Sequence, residues 1–187
     1  MTFFACASLL VIGLVPQVSG PFPKGKLTFP TLDHVSVPAP KAKATVLIFV
    51  GTECPIANRY SPEFARIDSE YWPKGIRFIR VYPDPATTAE QVDRHGKEYG
   101  LEMKAVRDVR HLWVKLVGAT ITPEAAVIGP DGKLLYRGRI DDRNVEHGRI
   151  AESGYRKDLR IALDEILAGK PVSQKVTPAI GCFIADL

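Results

Sequence analysis

Apolar and polar residues alternate along this chain with two periods, and the sharpest change of period falls within Ala44–Ile67, ATVLIFVGTECPIANRYSPEFARI. Val46-Leu47-Ile48-Phe49-Val50 is an unbroken β-branched and aromatic run, which predicts a strand buried on both faces. A small-residue turn, Gly51-Thr52-Glu53, leads to Cys54-Pro55. Beyond it Ile56, Tyr60, Phe64 and Ile67 recur at the spacing of one helix face. Pro55 suits the first helical turn, where its missing N–H has no intrahelical partner to lose. Cys54 is thereby placed at the carboxyl end of a strand and the amino end of a helix. Unpaired N–H groups and the positive end of the helix dipole favour a thiolate there. The competing reading is a buried apolar cysteine.

The same two periods carry on through the chain. Ile76–Tyr82 predicts a second core strand, stopped by Pro83-Asp84-Pro85. Thr87-Thr88-Ala89-Glu90 has capping-box spacing and opens a helix to about Tyr99, with Gly100 as its stop. His95 within it reads as a surface or satisfied histidine. Met103–Val106 predicts a short strand, and His111–Val117 a helix closed by Gly118. This alternation argues for parallel crossovers and an α/β sheet. Two apolar runs then flank Asp131-Gly132, a hairpin signal that ends the sheet in an antiparallel pair. Asp141 reads as a turn or capping residue. Tyr155–Leu167 has Leu159, Ala162, Leu163, Ile166 and Leu167 on one face, as a helix covering the sheet would. Ahead of the central strand, Leu27–Leu32 and Val35–Val37 read as short edge strands, since Pro30 and Pro38 would remove ladder donors. His34 is the turn residue between them.

Composition narrows the function. The chain has 187 residues, a net charge of +4 and Lys and Arg scattered throughout, so the basic residues read as solvated surface and no nucleic-acid partner is expected. Phe3–Val15 is nearly continuous apolar sequence, followed by Pro16 and Val18-Ser19-Gly20, small where a signal peptidase reads. Residues 1–20 are expected to be a signal peptide, with a buried strand or an uncleaved anchor as alternatives. Export, in a bacterium to the periplasm, then leaves no stable membrane insertion. Cys6 is removed with that segment, and the remaining pair, Cys54 and Cys182, is compatible with one disulfide.

The strand–turn–Cys54-Pro55–helix passage resembles the thioredoxin-like superfamily and, within it, the redoxin (alkyl hydroperoxide reductase/thiol-specific antioxidant-like) proteins. The resemblance covers roughly Leu27–Leu187. It implies a central mixed sheet flanked by helices, with an N-terminal extension, a redoxin domain over 21–170 and a C-terminal tail over 171–187. It also implies a cis peptide at Thr122-Pro123, beside the reactive cysteine, with backbone groups that a partner strand can pair with. Thr177–Ile184 and Glu53–Tyr60 together resemble an exported bacterial redoxin subgroup.

Chemically, Ala57 stands where a Cys-x-x-Cys motif has its second thiol, so local dithiol exchange at this turn is excluded. Three readings stay open. In the first, Cys54 attacks a disulfide or oxidant and Cys182 resolves it. In the second, Cys54 is a peroxidatic cysteine of peroxiredoxin type. That motif would need Pro at Leu47 and Thr at Gly51, and Thr52 lies one place out of register. In the third, the fold is a non-catalytic or metal-binding module, although Asn58 replaces the second cysteine of a Cys-x-x-x-Cys metal pair. The first is preferred: catalytic Cys54 and Cys182, with Thr52, Pro55, Thr122 and Pro123 contacting substrate. No cofactor or metal is expected, and the partners are protein thiols and disulfides or a small thiol or peroxide. The sequence leaves oligomeric state and the physiological reductant open.

Overall fold

A computed structural model of the chain describes residues 22–146, 149–151, 154–185 and 187. The expected signal segment, residues 1–20 with Cys6, lies outside the described residues. In chain order the elements are β1 (Ala44–Phe49), α1 (Pro55–Tyr71), β2 (Ile76–Tyr82), α2 (Ala89–Glu98), β3 (Lys104–Arg107), α3 (Leu112–Val117), β4 (Ile121–Thr122), β5 (Glu124–Ile128) and β6 (Leu134–Gly138). They continue with β7 (Asn144–Glu146), β8 (Arg149–Ile150), α4 (Asp158–Leu167) and β9 (Cys182–Phe183).

The main sheet has the order β3-β2-β1-β5-β6, with β1, β2 and β3 parallel and β5 and β6 antiparallel, the thioredoxin-like arrangement. Every residue of β1 is buried, because the strand sits at the sheet centre with helices on both faces. Its side chains alternate between two cores. Val46 and Ile48 face Tyr60, Phe64 and Ile67 of α1 and Leu159 and Leu163 of α4. Leu47 and Phe49 face Trp113, Val114 and Val117 of α3. The carboxyl ends of β1 and β2 and the amino end of α1 therefore meet on one edge of the molecule.

Several sequence expectations change in detail. Leu27–Leu32 and Val35–Val37 do not form edge strands. Lys26 makes a single bridge to Lys133, and Leu32 and Val35 bridge each other across Asp33 and His34, both at positive φ. This segment packs Leu27, Phe29 and Leu32 against the α3 side of the sheet, so its apolar residues serve packing rather than pairing. The α2 cap is Thr88 with Gln91, one residue beyond the expected box, because Thr87 is buried and its carbonyl takes the Arg107 Nε–H at 2.8 Å. Helix α4 starts at Asp158 rather than Tyr155. The Asp131-Gly132 hairpin joins β5 to β6 as its dipeptide predicts, with Gly132 at φ 81°.

The tail crosses the domain. Arg137 N–H donates to the Lys175 carbonyl at 2.9 Å and Thr177 N–H to the Arg137 carbonyl at 3.1 Å, so the tail first lies along β6. It then reaches β4, where Thr122 pairs with Cys182 and Ile121 with Phe183 as a separate two-stranded ribbon.

Candidate functional site

Cys54 is the N-cap of α1 and is buried, 4% exposed. Pro55 takes the first helical position, as its lack of an N–H suggests, and is exposed. The Ala57 N–H, one of the unpaired donors of the first turn, points at Cys54 Sγ from 3.5 Å. When protonated, Cys54 donates to the Thr122 carbonyl at 3.2 Å. The Thr122-Pro123 peptide is cis, as the resemblance implies, and both residues are buried.

Cys182 arrives from the opposite end of the chain. The β4–β9 pairing sets its Sγ 2.7 Å from Cys54 Sγ, with both thiols free. Gly181 makes this approach possible. A Cβ there would overlap the Thr122 carbonyl oxygen, so only glycine lets the tail lie so close. Phe183 follows and is 72% exposed, at the rim of the site.

The two thiols shift in opposite directions. Burial pushes the Cys54 thiol up, but hydrogen bonds from the Cys182 thiol, the Ala57 N–H, Thr122 and the Cys182 backbone outweigh it and hold it below its ordinary value of 9.0. Burial, its hydrogen bond to Cys54 and the charge on Cys54 push the Cys182 thiol up to about 11. Cys54 therefore ionises first, and Cys182 keeps its proton and donates it to the neighbouring sulfur.

Of the sequence-selected residues, Cys54, Pro55, Thr122, Pro123 and Cys182 come together at one edge. Thr52 contributes its backbone: its carbonyl accepts from Asn58 Nδ2 at 2.9 Å. Sequence reasoning reaches Asn58 only as a substituted metal ligand and misses this clasp across the turn before Cys54. Asp141 does more than turn the chain. It accepts the Tyr60 hydroxyl proton, the Arg143 backbone N–H at 3.0 Å and Arg143 Nη2 at 2.7 Å, and Asn144 Nδ2 donates to the Tyr60 hydroxyl at 3.0 Å. This ties the first turns of α1 to the loop after β6. The signal for it was a polar group, the Tyr60 hydroxyl, on the inward face of a helix.

The AhpC/TSA family profile matches residues 18–137, well over half of the chain. The chain belongs to the AhpC/TSA family. No curated protein matches it. Among solved structures, an uncharacterized conserved protein from Geobacillus kaustophilus is 29% identical with a TM-score of 0.74, over 89% of this chain and 93% of that one. A hypothetical protein from Sinorhizobium meliloti 1021 is 26% identical with a TM-score of 0.66, over 77% and 80%. A Chlorobium tepidum protein described as a thiol:disulfide interchange protein of DsbE type shares the fold at 17% identity, with a TM-score of 0.50 over 69% and 80%. These likenesses make the chain a thioredoxin-fold redoxin. Among the described residues, no helix is long and apolar enough to cross a membrane.

Proposed function

We propose that this redoxin is an exported thiol–disulfide oxidoreductase in which Cys54 attacks and Cys182 resolves. The observation that carries the reading is the pair of free thiols 2.7 Å apart with opposed acidities. A thiolate attacks a disulfide sulfur, and the attack needs a thiolate near ambient pH with a second thiol in reach. The Cys54 thiolate bonds to one sulfur of a substrate disulfide, whose S–S bond breaks. The first substrate thiolate leaves and takes a proton from water. Cys182 then loses its proton and attacks the Cys54 sulfur, and the second substrate thiolate leaves and is protonated. The substrate gains two electrons and two protons, and the protein keeps a Cys54–Cys182 disulfide that an external dithiol reduces. Thr52, Pro55, Thr122 and Pro123 border the attack path and are the substrate-contacting residues. Protein disulfides are the substrate class of this reading, met at the exposed Pro55 and Phe183 that rim the buried Cys54. The export part of the reading rests on the apolar run Phe3–Val15 and the small residues after it.

The test is trapping. Cys182→Ser should accumulate a mixed disulfide at Cys54 with a disulfide-bonded peptide, and the wild type should release both peptide thiols and yield one linked peptide containing Cys54 and Cys182. Rapid, saturating peroxide turnover with a thiol donor, without peptide reduction, would replace this reading with a peroxidase.

A further inference from the structure

Four polar side chains, three of them buried and Asn58 half-buried, form a file beneath the Gly51–Glu53 turn. Arg80 Nη1 donates to the Tyr82 hydroxyl at 2.8 Å. That hydroxyl lies 2.8 Å from His95 Nδ1, and His95 Nε2 lies 2.9 Å from Asn58 Oδ1. Asn58 Nδ2 ends the file on the Thr52 carbonyl at 2.9 Å. Arg80 and His95 are only 6% and 4% exposed, and Arg80 is held in place by Nε and Nη2 bonds to the Met103 carbonyl at 3.2 and 3.1 Å.

Both ends of the file fix its direction. A guanidinium only donates and a carbonyl only accepts. Tyr82 therefore accepts from Arg80 and gives its single proton to His95 Nδ1. His95 must then carry its proton on Nε2 and give it to Asn58 Oδ1, which leaves the Asn58 amide protons for Thr52. Every link is satisfied in one arrangement, with His95 neutral. Space for it is kept at a cost: Gly96 sits inside α2, where glycine is a poorer helix former than alanine, and a Cβ there would be 3.0 Å from both Arg80 Nη1 and Nη2.

We propose that this file is a clamp that positions Cys54, with His95 and Asn58 as positioning residues, and that protonating His95 opens it. The inference rests on the reading of Cys54 as the attacking thiol. Thr52 lies two residues before Cys54, so the clamp ties the reactive turn to β2 in the sheet. A proton added to His95 can go only on Nδ1, facing a Tyr82 hydroxyl that already accepts from Arg80; two donors then converge on it and its own proton loses its acceptor. The groups around His95 are Arg80 and Tyr82 from β2, Asn58 from α1, Glu53 from the turn and the Tyr99 ring of α2, 4.8 Å between centroids. Burial and Arg80 hold the imidazole below its ordinary value, against the opposing pull of Glu53, so the clamp is closed at neutral pH and opens on acidification.

The experiment measures reaction of the full chain with dithiodipyridine, corrected to the rate per Cys54 thiolate, from about pH 4 to about pH 8, a range that extends well below the ordinary histidine value. The imidazole and the amides of residues 51–54 are followed by NMR over the same range. The wild type should show an acid limb in the corrected rate that tracks the His95 titration, with Nε2 as the protonated nitrogen at neutral pH. His95→Gln should lose the limb and react up to about tenfold more slowly throughout, the scale of one hydrogen bond lost from the clamp. Tyr82→Phe should lose the limb while His95 still titrates, because a proton on Nδ1 then meets no converging donor. A limb that persists in His95→Gln, or turn amides that ignore His95, overturns the clamp. Turn amides that follow His95 in a protein whose Cys54 reacts with no disulfide support the clamp, and it is then the reading of Cys54 that fails.

Discussion

Cys182 lies 128 residues along the chain from Cys54, yet the two sulfurs are 2.7 Å apart. The join is made by backbone. Thr122, whose carbonyl also takes the Cys54 thiol proton, pairs with Cys182 across the β4–β9 ribbon. The tail thus occupies the strand position beside Cys54 and delivers there the second thiol that Ala57 does not supply.

The thiols should titrate as an unequal pair. Cys54 alkylation should have its midpoint below 9.0, and Cys182 should react only as the pH approaches about 11. The Cys182 hydrogen bond is the largest of the influences lowering Cys54. Cys182→Ala should therefore move the Cys54 midpoint upward, and Cys182→Ser, whose hydroxyl still donates, should move it less. Alkylation rates against pH, read by mass spectrometry of the two peptides, check the order.

Gly181 should control how fast the pair closes. Alanine there would drive its Cβ into the Thr122 carbonyl, so β9 must move off β4. A displacement of about 1 Å at reacting atoms costs on the order of 10²-fold in rate. Stopped-flow closure of the Cys54–Cys182 disulfide in Gly181→Ala should slow by that order while the Cys54 midpoint shifts upward. An unchanged closure rate would mean the tail does not need this close approach.

How much of this was legible in the sequence follows from the range of the interactions. The central strand and the Cys54 cap were readable because an apolar run and a proline at the first helical position are local signals. The Asp131-Gly132 hairpin was readable for the same reason. The nearness of Cys182 was not, because β9 is two residues long and carries no period; its place depends on pairing with Thr122 at the far end of the fold. The clamp was invisible for a similar reason. Arg80 and Tyr82 share a strand face, but His95 and Asn58 come from two different helices. The Thr88 cap was missed by one residue because Thr87 and Thr88 offer the same spacing, to Glu90 and Gln91, and only burial of Thr87 separates them.

A buried ion pair beneath β5 and β6 sets a stability prediction. Arg137, 1% exposed, has Nε 3.6 Å from Glu124 Oε1 and donates from Nη1 to the Val117 carbonyl at 2.9 Å. Burial pushes the Glu124 carboxyl up from 4.5, against the Thr120 N–H and Arg137, which pull it down. Arg137→Leu leaves the carboxylate without that charge and should cost about 3–5 kcal/mol at neutral pH, whereas Arg137→Leu with Glu124→Leu should cost much less. A folded pKa raised above the unfolded one gives stability that is present in acid and lost as the pH rises. The single variant should therefore be closest to wild type below pH 4.5 and fall away above it. Denaturant titrations at several pH values would show this, and a pH-independent loss would remove Glu124 from the account.

The turn before Cys54 allows a change of chemistry to be predicted. The peroxiredoxin motif places a hydroxyl three residues before its cysteine, and here that position is Gly51. Gly51 does not need glycine's freedom, since its φ is not positive. A Cβ built there would lie 3.5 Å from Cys54 Cβ and 3.7 Å from Thr122 Oγ1, both ordinary contacts. Gly51→Ser thus adds a hydroxyl on the Cys54 side of the turn without displacing the backbone. One hydrogen bond to a bound peroxide contributes about 0.5–1.5 kcal/mol, which corresponds to a gain of at most about tenfold in the rate of Cys54 oxidation by hydrogen peroxide. Reaction with a disulfide peptide needs no such hydroxyl and should be unchanged or slower, because the added side chain narrows the approach to the sulfur. The check is the ratio of the two second-order rate constants in Gly51→Ser and in wild type. A rise in that ratio identifies the missing hydroxyl as a limit on the reaction of Cys54 with peroxide. An unchanged ratio, in a variant that still forms its Cys54–Cys182 disulfide, would mean that the positions of Cys54 and Cys182 alone set the preference.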